Sequence, residues 1–534
     1  MERNELDMLS QLLEEDDFAK GIAMGLSSER AAALGRLRAM QPWQNERYSN
    51  SDIGNGFLFA DFHKDTARFV SERKCWFIYD GSVWRADVGN LKAMEKCKEL
   101  ATLLFLLTAE IKDAALRDVC IKRASRWHNR GVRETILKDA ASVYCLRMED
   151  FDRVHYLFNC LNGTLNLRTG EFREHRPEDL LTMMSGVNYD KDARCPRWER
   201  FMNEIMVTGT VKPEQVTLAE VEAQQKESRP SASDQKKRYL QKAFGYALTG
   251  NTRYECLFIL YGATTRNGKG TAMETFLRLM GDYGKTARPE TIGTRFQQNS
   301  NAPSEDVARL NGARFVNISE PDKKLTLSAA LVKSLTGNDT ITARFLHENS
   351  FEYRPQFKMF INTNYLPQIT DLTLFSSGRI KTIPFERHFE EYEQDKRLKE
   401  LFALPENLSG ILNWCIEGLQ LLDIEGFDEP EIVRQATKDY AHNSDKMALF
   451  IEECLLEESG AMCRTSRLYG AYSRWCEENG FHAENVAENV RNFRSLLAGY
   501  GQVDRRRPSP REEKTTVLLG YRLRDYAEPL VGAC

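Results

Sequence analysis

"CLFILYGATTRNGKGTAMETFLRLMG", residues 256–281, decides how this chain is read. Cys256 to Gly262 form an apolar run of strand length, as expected for a strand buried on both faces. Met273, Phe276, Leu277 and Met280 then recur at helical spacing. Between the two lies a glycine-rich turn ending in Gly268-Lys269. Strand, glycine turn and helix together form a setting in which backbone N–H groups and a lysine cradle phosphates at a helix amino terminus. The spelling departs from Gly-x4-Gly-Lys-Ser/Thr at two points. Gly262 stands one residue too far upstream, and Gly270 takes the place of the hydroxyl that helps hold Mg²⁺. The expected nucleotide-binding set is Gly262, Asn267, Gly268, Lys269, Gly270 and Thr271, with ATP and Mg²⁺ as cofactors. Lys269 would reach the β- and γ-phosphates, and Thr271 is the nearest substitute for the missing hydroxyl.

Three downstream signals follow in order, each at the edge of an expected strand. "ARFVNISEPD" is an apolar strand from Phe315 to Ile318 that ends in Ser319-Glu320, where a hydrolase needs a carboxylate near the metal and the attacking water. "FKMFINTN" ends at Asn364, an uncharged group suited to positioning that water. "LFSSGRIKTIPF" places Arg379 in a short loop before another strand, as a candidate finger for a neighbouring subunit's γ-phosphate. The expected catalytic set is Lys269, Glu320, Asn364 and Arg379, with Thr271 and Glu320 at the metal.

The succession "LTG…FILYG…NGKGT…LMGDYG…SEP…KSLTGND…ARF…FINTNYLP…GRI…IPF" resembles the superfamily-3 helicases of phage, plasmid and poxvirus primase-helicases. The similarity covers about residues 236–425. "WFIYDGSVWRAD", "NGTLNLRTGEFREHRPED" and "CPRWERFM" resemble the domain that precedes the helicase in that family. The resemblance implies an AAA+ P-loop core within an α/β fold, and ring hexamers on single-stranded DNA. It makes Lys269 the phosphate-loop lysine, Glu320 the second-motif acid, Asn364 the sensor and Arg379 the trans-acting finger. Ser319 stands where a second acid is frequent.

Two stretches carry residue types suited to DNA. "KSLTGNDTITARFLHENSFEYRP" reads as a β-hairpin turning near His347-Glu348-Asn349, and in the resembling family a hairpin here enters the ring channel. Gripping a strand takes a cation for phosphate and a flat group for bases; Lys333, Arg344, Phe345 and His347 supply those types. The competing reading is a solvent hairpin with Phe345 in the core. In the tail, "TSRLYGAYSRWCEENG" is an amphipathic helix with Leu468, Tyr472 and Trp475 in its stripe. "AENVRNFRSLLAGYG" is a second helix, carrying Arg491 and Arg494. "QVDRRRPSPREEKTTVLLGYRLRDY" is a hairpin with Arg505, Arg506 and Arg507 beside its tip. Two helices and a basic hairpin read as a winged helix on duplex DNA; a protein-docking winged helix is the alternative.

The rest of the chain sets bounds. At 534 residues it is too long for one ordinary domain. The expected division is an amino-terminal helical arm (1–45), a mixed α+β domain (46–207), a polar linker or insert (208–235), the helicase core (236–425), and a helical lid with the winged helix (426–534). With 42% hydrophobic and 28% charged residues and a net charge of −4, the composition is globular and not broadly basic. No apolar run is long enough to span a bilayer, and the first residues are acidic, unlike a signal peptide. The twelve cysteines include no C-x-x-C pair. They are read as reduced core thiols of a cytoplasmic protein, here in a bacterial host.

Three other functions compete with this reading. A small-molecule P-loop kinase would need an acceptor pocket and lid, and would not need a finger in trans. A non-motor DNA-binding replication initiator with a decayed nucleotide site would account for Gly270. Primase activity would need a metal cluster around Asp150-x-Asp152, a pair better read as a helix-start turn; a separate primase is therefore an expected partner. The reading favoured is an ATP-dependent ring helicase.

Overall fold

The structure is a computed structural model. It describes residues 27–208, 230–294, 305–321, 325–346, 350–479, 493–507 and 513–524. His347, Arg491 and the tip of the tail hairpin lie outside them.

The amino-terminal part begins with helices α1 (Ser28–Ala39) and α2 (Asp52–Phe62). An antiparallel meander follows: β1 (Ala67–Val70), β2 (Cys75–Tyr79) and β3 (Trp84–Asp87). The expected turn at Asp80-Gly81 is present. Gly81 takes a φ of 104°, and the Asp80 carboxylate accepts from the N–H groups of Ser82 and Val83. Helices α3 (Leu91–Leu107), α4 (Ala114–Arg126) and α5 (Arg130–Ala140) close a core around Phe59, Trp76, Leu100 and Trp127. Asp150 accepts from the Arg147 N–H at the start of a short helical turn, as its sequence setting predicts. Asp152 is buried against the Thr182 backbone and hydroxyl.

A second meander, β4 (Leu157–Cys160), β5 (Gly163–Asn166) and β6 (Phe172–Arg173), leads to α6 (Pro196–Ile205). This helix buries Trp198, Phe201, Met202 and Ile205 in the same apolar core as the central sheet. Residues on both sides of 207 therefore share one core. The next helix, α7 (Ala232–Leu248), starts four residues before the expected boundary at 236, because Ser231 caps it by accepting from the Asp234 N–H.

The central sheet contains β7 (Leu257–Tyr261), β8 (Gly284–Ala287), β9 (Phe315–Ser319), β12 (Lys358–Thr363) and β13 (Ile380–Pro384). It is five-stranded and parallel throughout, in the order β13-β7-β12-β9-β8. The three central strands are nearly all buried and mostly apolar, which is the pattern of a sheet covered on both faces. Helix α8 (Lys269–Met280) covers one face, where Phe276 stacks on Phe244 of α7 at 4.3 Å. Helix α9 (Ala329–Thr336) and the hairpin of β10 (Ile341–Ala343) and β11 (Phe351–Tyr353) belong to the core on the other face. Helices α10 (Pro405–Glu425) and α11 (Glu431–Ser444) follow β13.

The carboxy-terminal body runs α12 (Lys446–Cys454), β14 (Leu455–Arg464), α13 (Thr465–Glu478), β15 (Val503–Arg506) and β16 (Thr515–Leu523). Its sheet is antiparallel, in the order β14-β16-β15. Leu468, Tyr472 and Trp475 lie in its core, as the helical stripe predicts. Strand β14 has no counterpart in the sequence reading. Its middle, Glu457 to Gly460, is exposed and polar around a bulge, so no period-two apolar signal marks it. Among the described residues no helix is long and apolar enough to cross a membrane.

Candidate nucleotide site

In open parallel sheets ligands sit beyond the carboxyl ends of the strands, and Gly262, Lys269, Glu320 and Asn364 lie there. The register pairs Thr363 with Tyr261 and Asn362 with Ser319, which brings Gly262, Asn364 and Glu320 to one edge. The Gly262 N–H donates to Thr363 O at 3.3 Å, and the Glu320 N–H donates to Asn362 O at 3.0 Å. Glu320 is exposed, in the left-handed region at φ 51°.

The loop is shaped by its own residues. Asn267 is buried, and its Nδ2 donates to Thr264 O at 2.6 Å, so this side chain helps to fold the loop. Gly268 has a φ of 82°, which favours glycine, and a Cβ there would strike Ile205 of α6. At Gly262 a Cβ would lie 2.7 Å from Phe385 O and 2.9 Å from Lys269 Nζ. A side chain at 262 would therefore crowd the Lys269 ammonium.

Lys269 opens α8 and is buried. Its Nζ donates to Asn364 Oδ1 at 2.9 Å and to Gly262 O at 3.5 Å. Both acceptors are neutral. Burial pushes the ammonium down to about 8. A buried cation held only by neutral oxygens at a helix amino terminus is a ready partner for a phosphate. The sign of the pH dependence follows. Above about pH 8 the ligand-free lysine loses its proton, whereas a bound phosphate would hold it charged. Phosphate-dependent affinity at pH 9 should therefore be about tenfold below that at pH 7, through the protonated fraction alone. Titration of binding between pH 6.5 and 9.5 checks this; a flat profile would show that Lys269 does not meet the phosphates.

Gly270 and Thr271 are placed differently. Nothing lies within 4 Å of a Cβ built on Gly270. Thr271 instead lines a cavity with Phe201, Phe389 and Leu398, a set that does not include Glu320 or Asn364. Among the described residues no cluster of three or more His, Cys, Asp or Glu side chains could hold a metal ion. Mg²⁺ held by one carboxylate and the nucleotide's own phosphates suits this edge, because Mg²⁺ commonly binds in that way. Gly270→Ser should fit without strain. It should lower the Mg²⁺ concentration needed for half-maximal nucleotide binding several-fold, while leaving binding in EDTA unchanged.

Arg379 lies at the opposite edge of the sheet. Ile380 pairs with Leu257, the first residue of β7, so about 16 Å of strand separates Arg379 from the loop at the far end. Its guanidinium donates to Glu255 Oε2 at 2.8 Å and to Thr336 Oγ1 at 2.6 Å. Any contact with γ-phosphate must therefore be to another subunit's nucleotide.

The expected DNA residues are more scattered. Lys333 Nζ contacts Asp371 at 3.3 Å and Thr373 at 2.6 Å. Arg344 is half-buried. Phe345 is packed: its ring lies 5.6 Å from that of Phe351, and the Arg73 guanidinium sits 5.0 Å from its centroid. The ring expected to meet bases is thus half-buried and packed at the margin of the core; Leu346, beside it, is exposed. In the tail Arg494, Arg505, Arg506 and Arg507 are exposed. Arg494 also donates to Thr465, and Arg506 pairs with Asp504 at 2.9 Å.

The sequence reading missed α6 as a wall of the site. "CPRWERFM" signalled only a resemblance, yet its apolar face, Trp198, Phe201 and Met202, runs to Ile205 against Gly268.

The parallel five-stranded sheet fits an α/β NTPase core. Residues 57–207 match the D5 N terminal like family, and residues 442–508 match the poxvirus D5 protein-like family. Residues 260–376 match a family of unknown function, DUF5906. The chain is 26% identical over 366 residues to "Putative helicase L207/L206" of Acanthamoeba polyphaga mimivirus, covering 65% of this chain and 35% of that protein. It is 25% identical over 411 residues to "Putative helicase 022R" of Frog virus 3 (isolate Goorha), covering 66% and 42%. The chain thus spans well under half the length of these relatives. The A form apo structure of the NrS-1 C terminal region (305-718) aligns over 85% of this chain and 96% of its own, at 8% identity and a TM-score of 0.40. The chain thus carries D5-type domains and is homologous to viral putative helicases, which fits the phage and poxvirus primase-helicase family.

Proposed function

We propose that the chain is an ATP-dependent DNA helicase of viral replication, a superfamily-3 AAA+ motor assembled as a ring hexamer on single-stranded DNA. The observation that carries this reading is the hydrogen bond from Lys269 to Asn364 across the carboxyl edge of the sheet. It couples the phosphate-binding group to the group that would position water. ATP is the fuel, Mg²⁺ enters with it, and Glu320 supplies the carboxylate. Mg²⁺ offsets phosphate charge; Lys269 binds and orients the β- and γ-phosphates. Arg379, remote from its own loop, supports an arrangement in which each site is shared between two subunits.

The tail is read as a winged helix. Its order of helix, strand, helix, a further segment, then two paired strands supports this, as does the sheet order β14-β16-β15. Arg494, Arg505, Arg506 and Arg507 would meet duplex phosphates, with salt-sensitive affinity. Lys333 and Arg344 remain the channel cations. A separate primase is the proposed partner. The test is strand displacement on a forked DNA with ATP and Mg²⁺. Displacement that stops when ATP is replaced by a non-hydrolysable analogue supports the motor; ATP turnover with no displacement at any fork would favour the initiator reading.

A further inference from the structure

A cavity of about 220 Å³ opens beside the first turn of α8. Three of its lining residues, Arg266, Gly268 and Thr271, belong to the phosphate loop or the helix start. The others come from two distant segments. Helix α6 supplies Arg197, Phe201 and Glu204, and the chain after β13 supplies residues from Phe389 to Lys399. That second segment is fixed to the loop: the Phe389 N–H donates to Arg266 O at 2.9 Å, and His388 Nδ1 lies 2.8 Å from Thr265 O.

We propose that this cavity seats the nucleoside of the bound triphosphate, with its base on the face of Phe389 and its ribose toward Thr271. The proposal rests on the nucleotide-site reading and extends it to residues of the D5-type amino-terminal domain. The volume is below the roughly 300 Å³ of a small complete ligand site. That suits a site whose phosphates lie outside it, over the helix amino terminus. Phe201, Phe389 and Leu398 form an apolar patch, set among charged side chains such as Arg197, Glu204 and Lys399, that fits a flat base. Flat bases stack on aromatic rings with a contribution of about 1–3 kcal/mol. Gln394 lines the same cavity and spends its Nε2 on Phe389 O at 3.0 Å, which leaves its Oε1 as the acceptor. A larger cavity of about 620 Å³ flanks Tyr261 to Thr264 against α11. It includes no residue from Thr265 to Thr271, so a chain of phosphates seated at the helix start would lead away from it.

A consequence is that α6 links the amino-terminal domain to nucleotide occupancy. Ile205 already abuts Gly268, and Phe201, in the same helix, lines the cavity.

The test compares ATP with inorganic tripolyphosphate, which shares the phosphates and lacks the nucleoside. In the full chain with Mg²⁺, Phe389→Ala should raise the Kd for ATP at least fivefold and leave that for tripolyphosphate unchanged. Leu398→Trp, which fills the cavity from a half-buried position, should do the same and guards against a folding defect in the first variant. Unchanged ATP affinity in both variants, or equal losses for ATP and tripolyphosphate in folded protein, would overturn the seat. Tripolyphosphate that fails to bind the unmodified chain would instead overturn the phosphate site itself, so the two failures are distinct.

Discussion

Arg379→Ala will bind ATP with nearly unchanged affinity and hydrolyse it 10³- to 10⁵-fold more slowly. That range is what an arginine finger supplies by stabilising charge on the transferring phosphoryl group. The geometry explains why binding is spared. Arg379 and Lys269 occupy opposite edges of one parallel sheet, so the substitution does not touch the loop of its own subunit. The fold should survive as well. The ion pair with Glu255 is partly exposed, and pairs of that kind contribute about 0.2–1 kcal/mol. Complementation gives the sharper form of the test. Lys269→Ala subunits keep their finger and lack a working loop, whereas Arg379→Ala subunits have the reverse defect. Mixing them should build some interfaces that join an intact loop to an intact finger, and basal ATPase should partly return. No recovery despite confirmed co-assembly would reduce Arg379 to a strut between Glu255 and Thr336.

Lys269→Ala should abolish ATP hydrolysis and weaken binding of the triphosphate by about 2–5 kcal/mol, roughly 30-fold to several thousand-fold. Its effect on folding should have the opposite sign from that of most core truncations. The ammonium is buried against Gly262 O and Asn364 Oδ1 with no carboxylate, so its desolvation is only partly offset in the ligand-free chain. Removing it should leave the melting temperature unchanged or raise it. Thermal denaturation without nucleotide, paired with equilibrium binding, separates the two effects. A variant that melts early and loses activity would show that Lys269 mainly supports the loop.

Much of this was readable in the residues. β7, β9 and β12 are short apolar runs that end in glycine or polar groups, and burial on both faces leaves few other readings for such runs. The hairpins around Asp80-Gly81 and Thr169-Gly170 follow from turn chemistry that acts over four residues. What escaped is long-range. Nothing near Phe201 or Phe389 in sequence signals that they share a cavity with Thr271, because 118 positions separate Thr271 from Phe389. Thr271 was expected to replace a missing hydroxyl. A helix turns about 100° per residue, so the neighbour of Gly270 faces a different direction, toward that cavity. Phe345 was assigned to bases from its residue type; pairing with Phe351 and a cover from Arg73 depend on contacts that alternation along one strand does not encode.

On the proposed function, this edge of the sheet turns over ATP in response to DNA. The most direct measurement is ATPase of the purified chain with Mg²⁺, with and without single-stranded DNA, alongside Lys269→Ala prepared identically. Turnover should rise several-fold on adding DNA and be absent from the variant under both conditions. Turnover equal in the two proteins, or none from the unmodified chain at any DNA concentration, would contradict it.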